Sequence, residues 1–306
     1  MRDVNIKRIL VPTDLSQPAL SALRYARTFA ERFSAGLVIF HVDSMNFPFS
    51  GIDAEVPVYD APTPEYLAAL EKEVRAYSAE TLAGLTYEVR TVSGQTASSI
   101  VYEAEECGAD LIVMATHGLR GWRRAILGSV TESVLHRGKY PVLSVSRPES
   151  RPGSVTNVTK VLCPVNFTEA AREALDYAVH LAGAFGCELV VVHVQEPQEP
   201  MNAAALEETV RRWAAPSIQE RCSFREIVLR GGPAERVLDC AEDIGADLIV
   251  IGGQHKLFRD VTTIGTTTER LVRFARMPVL TVPRAEGRKQ KAEGRSEGIE
   301  VIAKAT

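Results

Sequence analysis

The chain is written twice. The segment "KRILVPTDLSQPALSALRYARTFAERFSAGLVIFHV", from Lys7, matches "TKVLCPVNFTEAAREALDYAVHLAGAFGCELVVVHV", from Thr159, at a constant offset of 152, pairing Pro12 with Pro164, Tyr25 with Tyr177 and His41 with His193. Further along, "AEECGADLIVM" matches "AEDIGADLIVI" and "YPVLSV" matches "MPVLTV" at an offset of 137. The 15-residue difference is absorbed after His41 and Val42, where the first copy carries "DSMNFPFSGIDAEVPVYDAPTP" and the second only "QEPQEP". Self-similarity at this period requires two units of one fold. The expected division is 1–147 and 158–284, joined by a linker at 148–157 within "SRPESRPGSVTN" and followed by a charged, Gly-punctuated tail at 285–306 with little to bury.

Within each copy, short Val- and Ile-rich runs alternate with stretches of helical period, the pattern of a parallel sheet with crossover helices. In the first copy five strands are expected, at 8–11, 37–42, 86–92, 110–115 and 142–146. Ser16 stands where it can cap the first helix, whose stripe of Leu20, Leu23, Ala26, Ala30 and Phe33 faces inward. "YPVLSVS" and "MPVLTVP" would leave apolar sheet edges if each unit stood alone, so the copies are expected to pair through them. Homodimerisation of the whole chain is left open.

The 306 residues, 45% hydrophobic and 24% charged, supply enough apolar side chain for two such cores. A formal net charge of -4 provides no global basic field for nucleic acid or an anionic membrane. No run approaches the roughly 18 apolar residues of a membrane span, and "MRDVNIKRILVP" lacks the apolar core of a signal peptide, so a cytoplasmic location is expected. The five cysteines include no CxxC pair and lie mostly in apolar segments, which favours buried, reduced thiols over disulfides or a metal site.

In an open parallel sheet, ligands settle beyond the carboxyl ends of the strands where the strand order reverses. Pro12, Thr13 and Asp14 close strand one, Val42 closes strand two, Ala115, His117 and Gly118 follow strand four, and Gly128, Ser129 and Val130 open the next helix. These segments converge if strands two, one and four are neighbours. Gly118 and Gly128 let the backbone approach phosphate oxygens, while Ser129 offers an amide and a hydroxyl at the positive end of a helix dipole. Asp14 offers a carboxylate to a nucleoside's polar edge, and the Val42 backbone can read a base. A nucleotide fits this set better than a free anion.

With these motifs the chain resembles the universal stress protein family in its tandem form, over about residues 3 to 285. The family's pattern G-x2-G-x9-G-S/T stands here as Ala115-x2-Gly118-x9-Gly128-Ser129, with alanine for the first glycine. The added methyl blocks a backbone contact only where φ must be positive. The resemblance implies two Rossmann-like (adenine nucleotide alpha hydrolase-like) α/β units, each an open parallel five-stranded sheet with helices on both faces, related by a pseudo-twofold axis. It implies ATP with Mg2+, an acidic contact at Asp14, a base contact at Val42, and a stress-response role toward a protein partner that the sequence does not name.

The second copy reads Gly252-x2-His255-x9-Gly265-Thr266, with Asn166 at the acidic position. A degenerate pocket is expected there. The rival reading has His255 and Lys256 grip a phosphate or a smaller nucleotide. Arg120, Arg123 and Arg124 around Trp122 could stack on single-stranded nucleic acid, but the acidic total favours a solvated face or added charge near the triphosphate. His41 and His193 recur at strand ends, as structural histidines rather than bases. His117 stands beside the expected phosphates, where it either does chemistry or caps backbone. Because no general base is paired with a nucleophile, a non-enzymatic ATP-binding protein leads. A weak Mg-dependent ATPase or phosphotransferase using Asp14 or His117, and a nucleotide-independent scaffold, are the alternatives. The Asp43 to Pro64 loop is positioned to cover the base.

Overall fold

A computed structural model of the chain describes residues 4–44, 63–116, 127–146, 157–197, 202–218, 221–253 and 264–284. The first half runs β1 (Arg8–Thr13), α1 (Gln17–Phe33), β2 (Gly36–Asp43), α2 (Pro64–Ala79), β3 (Tyr87–Ser93), α3 (Thr96–Glu106), β4 (Leu111–Ala115), α4 (Ser129–His136) and β5 (Val142–Val145). The second repeats the order as β6 (Lys160–Val165), α5 (Glu169–Phe185), β7 (Glu188–Gln195), α6 (Ala203–Ile218), β8 (Phe224–Arg230), α7 (Pro233–Asp243), β9 (Leu248–Gly252), α8 (Thr266–Phe274) and β10 (Val279–Val282). Residues 148–156 of the expected linker and the whole 285–306 segment lie outside the described residues.

All ten strands form one sheet in the order β3-β2-β1-β4-β5-β10-β9-β6-β7-β8. Within each half every pairing is parallel, and strands two, one and four are neighbours, which brings the ends of β1, β2 and β4 together. The halves join where β5 meets β10 antiparallel, with Leu143 opposite Leu280, Ser144 opposite Val279 and Val142 opposite Thr281. Leu280 is the counterpart of Leu143 at the offset of 137. A half-turn about that pair therefore maps the register onto itself. Both leucines are fully buried. Phe33 and Phe185, counterparts at 152, also meet each other, edge to face with centroids 5.9 Å apart.

Alternation along the strands sends successive side chains to opposite faces. Ile9, Val11, Ile39 and Val113 pack under Leu23 and Ala26 of α1 and Val74 of α2, in a cluster that continues to Leu175 of α5 and Val210 of α6. Leu10, Phe40, Ile112 and Met114 pack on the other face with Ile100, Val134, Val237 and Leu271 from α3, α4, α7 and α8. Each cluster crosses from one half to the other. Helix α1 starts where Ser16 accepts the Ala19 amide and ends at Ser34, which takes the left-handed conformation (φ 51°) that Gly186 takes (φ 68°) after α5.

All five cysteines are free, and all but Cys222 are buried. Burial raises the thiols of Cys163 and Cys187, the latter to about 11, so neither is primed as a nucleophile. Among the described residues no helix is long and apolar enough to cross a membrane.

Candidate functional site

β1 follows β2 for six residue pairs but follows β4 only through Ile9–Leu111 and Leu10–Ile112. The sequence supplies the reason. The Arg8 carbonyl accepts the Asp110 amide at 2.8 Å, so Arg8 turns its backbone toward β4. Since backbone groups alternate sides along a strand, Leu10 and then residue 12 follow it. Residue 12 is proline, which has no N–H to give. The ladder ends there and the strands part. Pro164 repeats the effect: Lys160 O accepts Asp247 N at 2.9 Å, and β6 pairs with β9 only at Val161–Leu248 and Leu162–Ile249. In the first half the opening lies between β1 and β4, where the strand order reverses. β1 itself runs on to Thr13, past the expected end at Val11, because its odd residues still face β2.

Beyond β1 the chain turns sharply. Leu15 and its counterpart Phe167 hold φ values of 61° and 59°, unusual for such side chains. Asp14 Oδ1 stabilises the turn by accepting Ser16 N–H at 3.1 Å and Ser16 Oγ–H at 2.5 Å. Asn166 Oδ1 does the same, accepting Thr168 Oγ–H at 2.6 Å and Thr168 N–H at 3.4 Å. The turn therefore needs a side-chain oxygen and not a negative charge. The Thr13 hydroxyl accepts the Leu15 amide at 3.1 Å.

His41 donates from Nδ1 to the Thr13 carbonyl at 2.8 Å, and His193 to the Val165 carbonyl at the same distance. Each ties two strand ends together, in keeping with the structural reading. At the start of β2 Gly36 N donates to Lys7 O and at its end Asp43 O accepts Gly94 N, so even-numbered residues face β1 and odd ones face β3. Val42 thus turns its amide and carbonyl toward β1: the Thr13–His41 pairing engages the amide with the Thr13 carbonyl, and the Val42 carbonyl lies past the end of β1.

On the opposite wall, Gly128 N donates to Thr116 O at 2.9 Å and Thr131 Oγ–H to Ala115 O at 3.0 Å, holding the start of α4 against the end of β4. The second half repeats both contacts, through Gly265 to Gly253 O and Thr268 to Gly252 O. Gly128 is the N-cap of α4 at φ -62° and carries no capping side chain, and Ser129, exposed, is the first helical residue, followed by Val130. The first-turn amides of α4 therefore lack the side-chain acceptor that Ser16 gives α1.

Gly252, the counterpart of Ala115, has a packing role: a Cβ there would stand 2.7 Å from the Ala170 carbonyl at the start of α5. Ala115 carries that carbon, so the first turn of α1 must stand further from β4 than α5 stands from β9. His117 and Gly118 lie outside the described residues, as do Arg120, Trp122, Arg123, Arg124, His255, Lys256 and residues 45–62 of the long loop.

Three residues at this site escaped the sequence reading. Thr131 carried a signal, since "GSVT" and "GTTT" keep threonine at one place in both copies. Tyr66 and Tyr77 of α2 carried none. Tyr66 donates to Asp43 Oδ2 at 2.8 Å and Tyr77 to the Ser16 carbonyl at 2.6 Å. Burial pushes the Tyr77 phenol up to about 12, with the Asp14 charge acting in the same direction and a hydrogen bond with Thr13 opposing them.

A sequence model of the universal stress protein family matches residues 5–146 and again 157–283. A universal stress protein of Methanocaldococcus jannaschii is 36% identical over 146 residues, 47% of this chain and 84% of the relative. A second from the same archaeon is 29% identical over 160 residues, 48% of this chain and 99% of its own length. The crystal structure of a universal stress protein from Archaeoglobus fulgidus superposes with a TM-score of 0.67 at 24% identity, covering 91% of this chain and 98% of that one, a likeness of fold.

Proposed function

The chain belongs to the universal stress protein family, and from that premise we propose that the crevice between β1 and β4 binds ATP while the matching crevice of the second half has lost that grip. The observation that most supports this is the uncapped start of α4, with exposed Ser129, held beside the gap that Pro12 opens. Amides and a hydroxyl at the positive end of a helix suit a polyphosphate. Val42 turns its backbone carbonyl toward the same gap for the base, and Asp14 stands at the end of β1 for the sugar or a bound cation. Among the described residues no three His, Cys, Asp or Glu side chains stand together to hold a metal. Mg2+ would accordingly enter on the phosphate oxygens, with Asp14 as the one carboxylate offered by this set.

In the second half Asn166 keeps the turn without the charge, and α5 closes against Gly252. Nucleotide occupancy of one half then sets how the protein meets a partner in a stress response. The experiment is to release whatever small molecule accompanies the natively purified chain with acid and identify it by mass spectrometry, with ADP formation followed in a parallel incubation. ATP in the extract, with no turnover above a protein-free control, is the expected result. A chain that arrives empty and takes up no ATP at millimolar supply would overturn the proposal in favour of a scaffold.

A further inference from the structure

Helix α2 hydrogen-bonds to both chain segments that flank the nucleoside end of the crevice. Tyr77 Oη–H reaches the Ser16 carbonyl at 2.6 Å, and Ser16 in turn donates its amide and hydroxyl to Asp14 Oδ1. One residue therefore lies between the phenol and the carboxylate. Tyr66 Oη–H reaches Asp43 Oδ2 at 2.8 Å, and Asp43, 6% exposed, directly follows Val42. The two tyrosines are 11 positions apart, which at about 100° per residue puts them on one face of the helix, some 16 Å apart along its axis. Side chains on a helix lean toward its N-terminus, and Tyr77 leans toward the strand ends in this way.

The second half is built differently. Aligning α2 and the turn after it with α6 by their buried residues, Val74, Ser78 and Leu82 against Val210, Ala214 and Ile218, places Asn202 and Trp213 at the tyrosine positions. There Arg172, from α5, lies over the Trp213 ring at 3.6 Å and donates to the Trp213 carbonyl and to Ser217 Oγ. These contacts join helix to helix, and the Trp213 ring meets Phe167 of the Asn166 turn edge to face with centroids 5.7 Å apart, an apolar contact where Tyr77 makes a hydrogen bond.

We propose that Tyr66 and Tyr77 are positioning residues that fix the Asp14 turn and the Val42 strand end, giving the first half its preference for a nucleoside-bearing ligand over bare polyphosphate. This rests on the ATP reading of the same crevice. The phosphate end, built on α4, is untouched by either phenol.

The test uses the full chain with Tyr66→Phe, Tyr77→Phe and both together, which remove the hydroxyls and keep the rings. Each is titrated calorimetrically with Mg-ATP and, by competition, with inorganic tripolyphosphate. Loss of the neutral Tyr77–Ser16 bond corresponds to about a fivefold weakening, and loss of the Tyr66 bond to the Asp43 carboxylate to at least that. Tyr77→Phe should therefore bind ATP about fivefold more weakly, Tyr66→Phe at least about fivefold and the double variant at least about 25-fold, since the two sites are well separated, with tripolyphosphate unchanged. Wild-type affinity for ATP in the double variant, or equal weakening of both ligands, would overturn the positioning role while leaving the ATP site standing. A wild-type chain that binds no ATP would remove the site itself, and is seen before any variant is made.

Discussion

Asp14 and Asn166 perform one local task with different charge. Both oxygens hold the turn into a helix, so Asp14→Asn should leave the fold intact, shifting stability by less than about 0.5 kcal/mol in thermal unfolding. If the charge serves the ligand, the same variant should bind Mg-ATP roughly ten- to a hundredfold more weakly, the range for losing a charged hydrogen-bond partner. Unaltered affinity in calorimetric titration would assign Asp14 to the turn alone. Tyr77 makes a pH prediction. Its phenol holds its proton to about 12 in the folded chain but to the ordinary value of 10.0 when unfolded. The folded state thus binds more protons between those values, and stability falls as pH rises through that window. Tyr77→Phe should flatten this decline in alkaline unfolding curves.

At the scale of elements, the crevice is a consequence of where a ladder stops and how closely a helix approaches. Gly252→Ala would push a methyl into the Ala170 backbone and should cost about 1 to 3 kcal/mol, whereas Ala115→Gly removes a carbon that α1 already accommodates and should cost about 1 kcal/mol or less. Equal costs in chemical denaturation would refute the asymmetry between the halves. Much at this scale was legible beforehand. Val- and Ile-rich alternation located every strand of the first half to within about two residues, and the doubled sequence required two equal units. Pro12 was legible as a residue at the end of strand one that recurs as Pro164, but that its missing N–H ends the β1–β4 ladder shows only in the strand pairing. What stayed hidden depends on tertiary contact. The Tyr66 and Tyr77 bonds join residues 23 and 61 positions apart and occur in one copy, so neither local propensity nor comparison of the repeats exposes them. The left-handed turn after α1 falls on Ser34, where a glycine would have announced it.

For the molecule as a whole, the β5–β10 pairing turns two open sheets into one and removes both apolar edges. The phenylalanine pair near the pseudo-axis continues that join between α1 and α5. Because Phe185 packs against Phe29 at 5.5 Å as well as Phe33, Phe185→Ala should cost about 2 kcal/mol and lower the unfolding of both halves together in scanning calorimetry. Melting of one half alone would show the halves to be energetically separate. The central claim is that the halves share a fold but not a ligand. It is tested most directly by titrating Mg-ATP into the chain and into two mirrored variants, Ser129→Asp and Thr266→Asp. Aspartate at a helix N-terminus is compatible with the helix yet repels a triphosphate. The prediction is one ATP per wild-type chain, binding lost in Ser129→Asp and retained in Thr266→Asp. Two equivalent sites, or loss in Thr266→Asp alone, would contradict it.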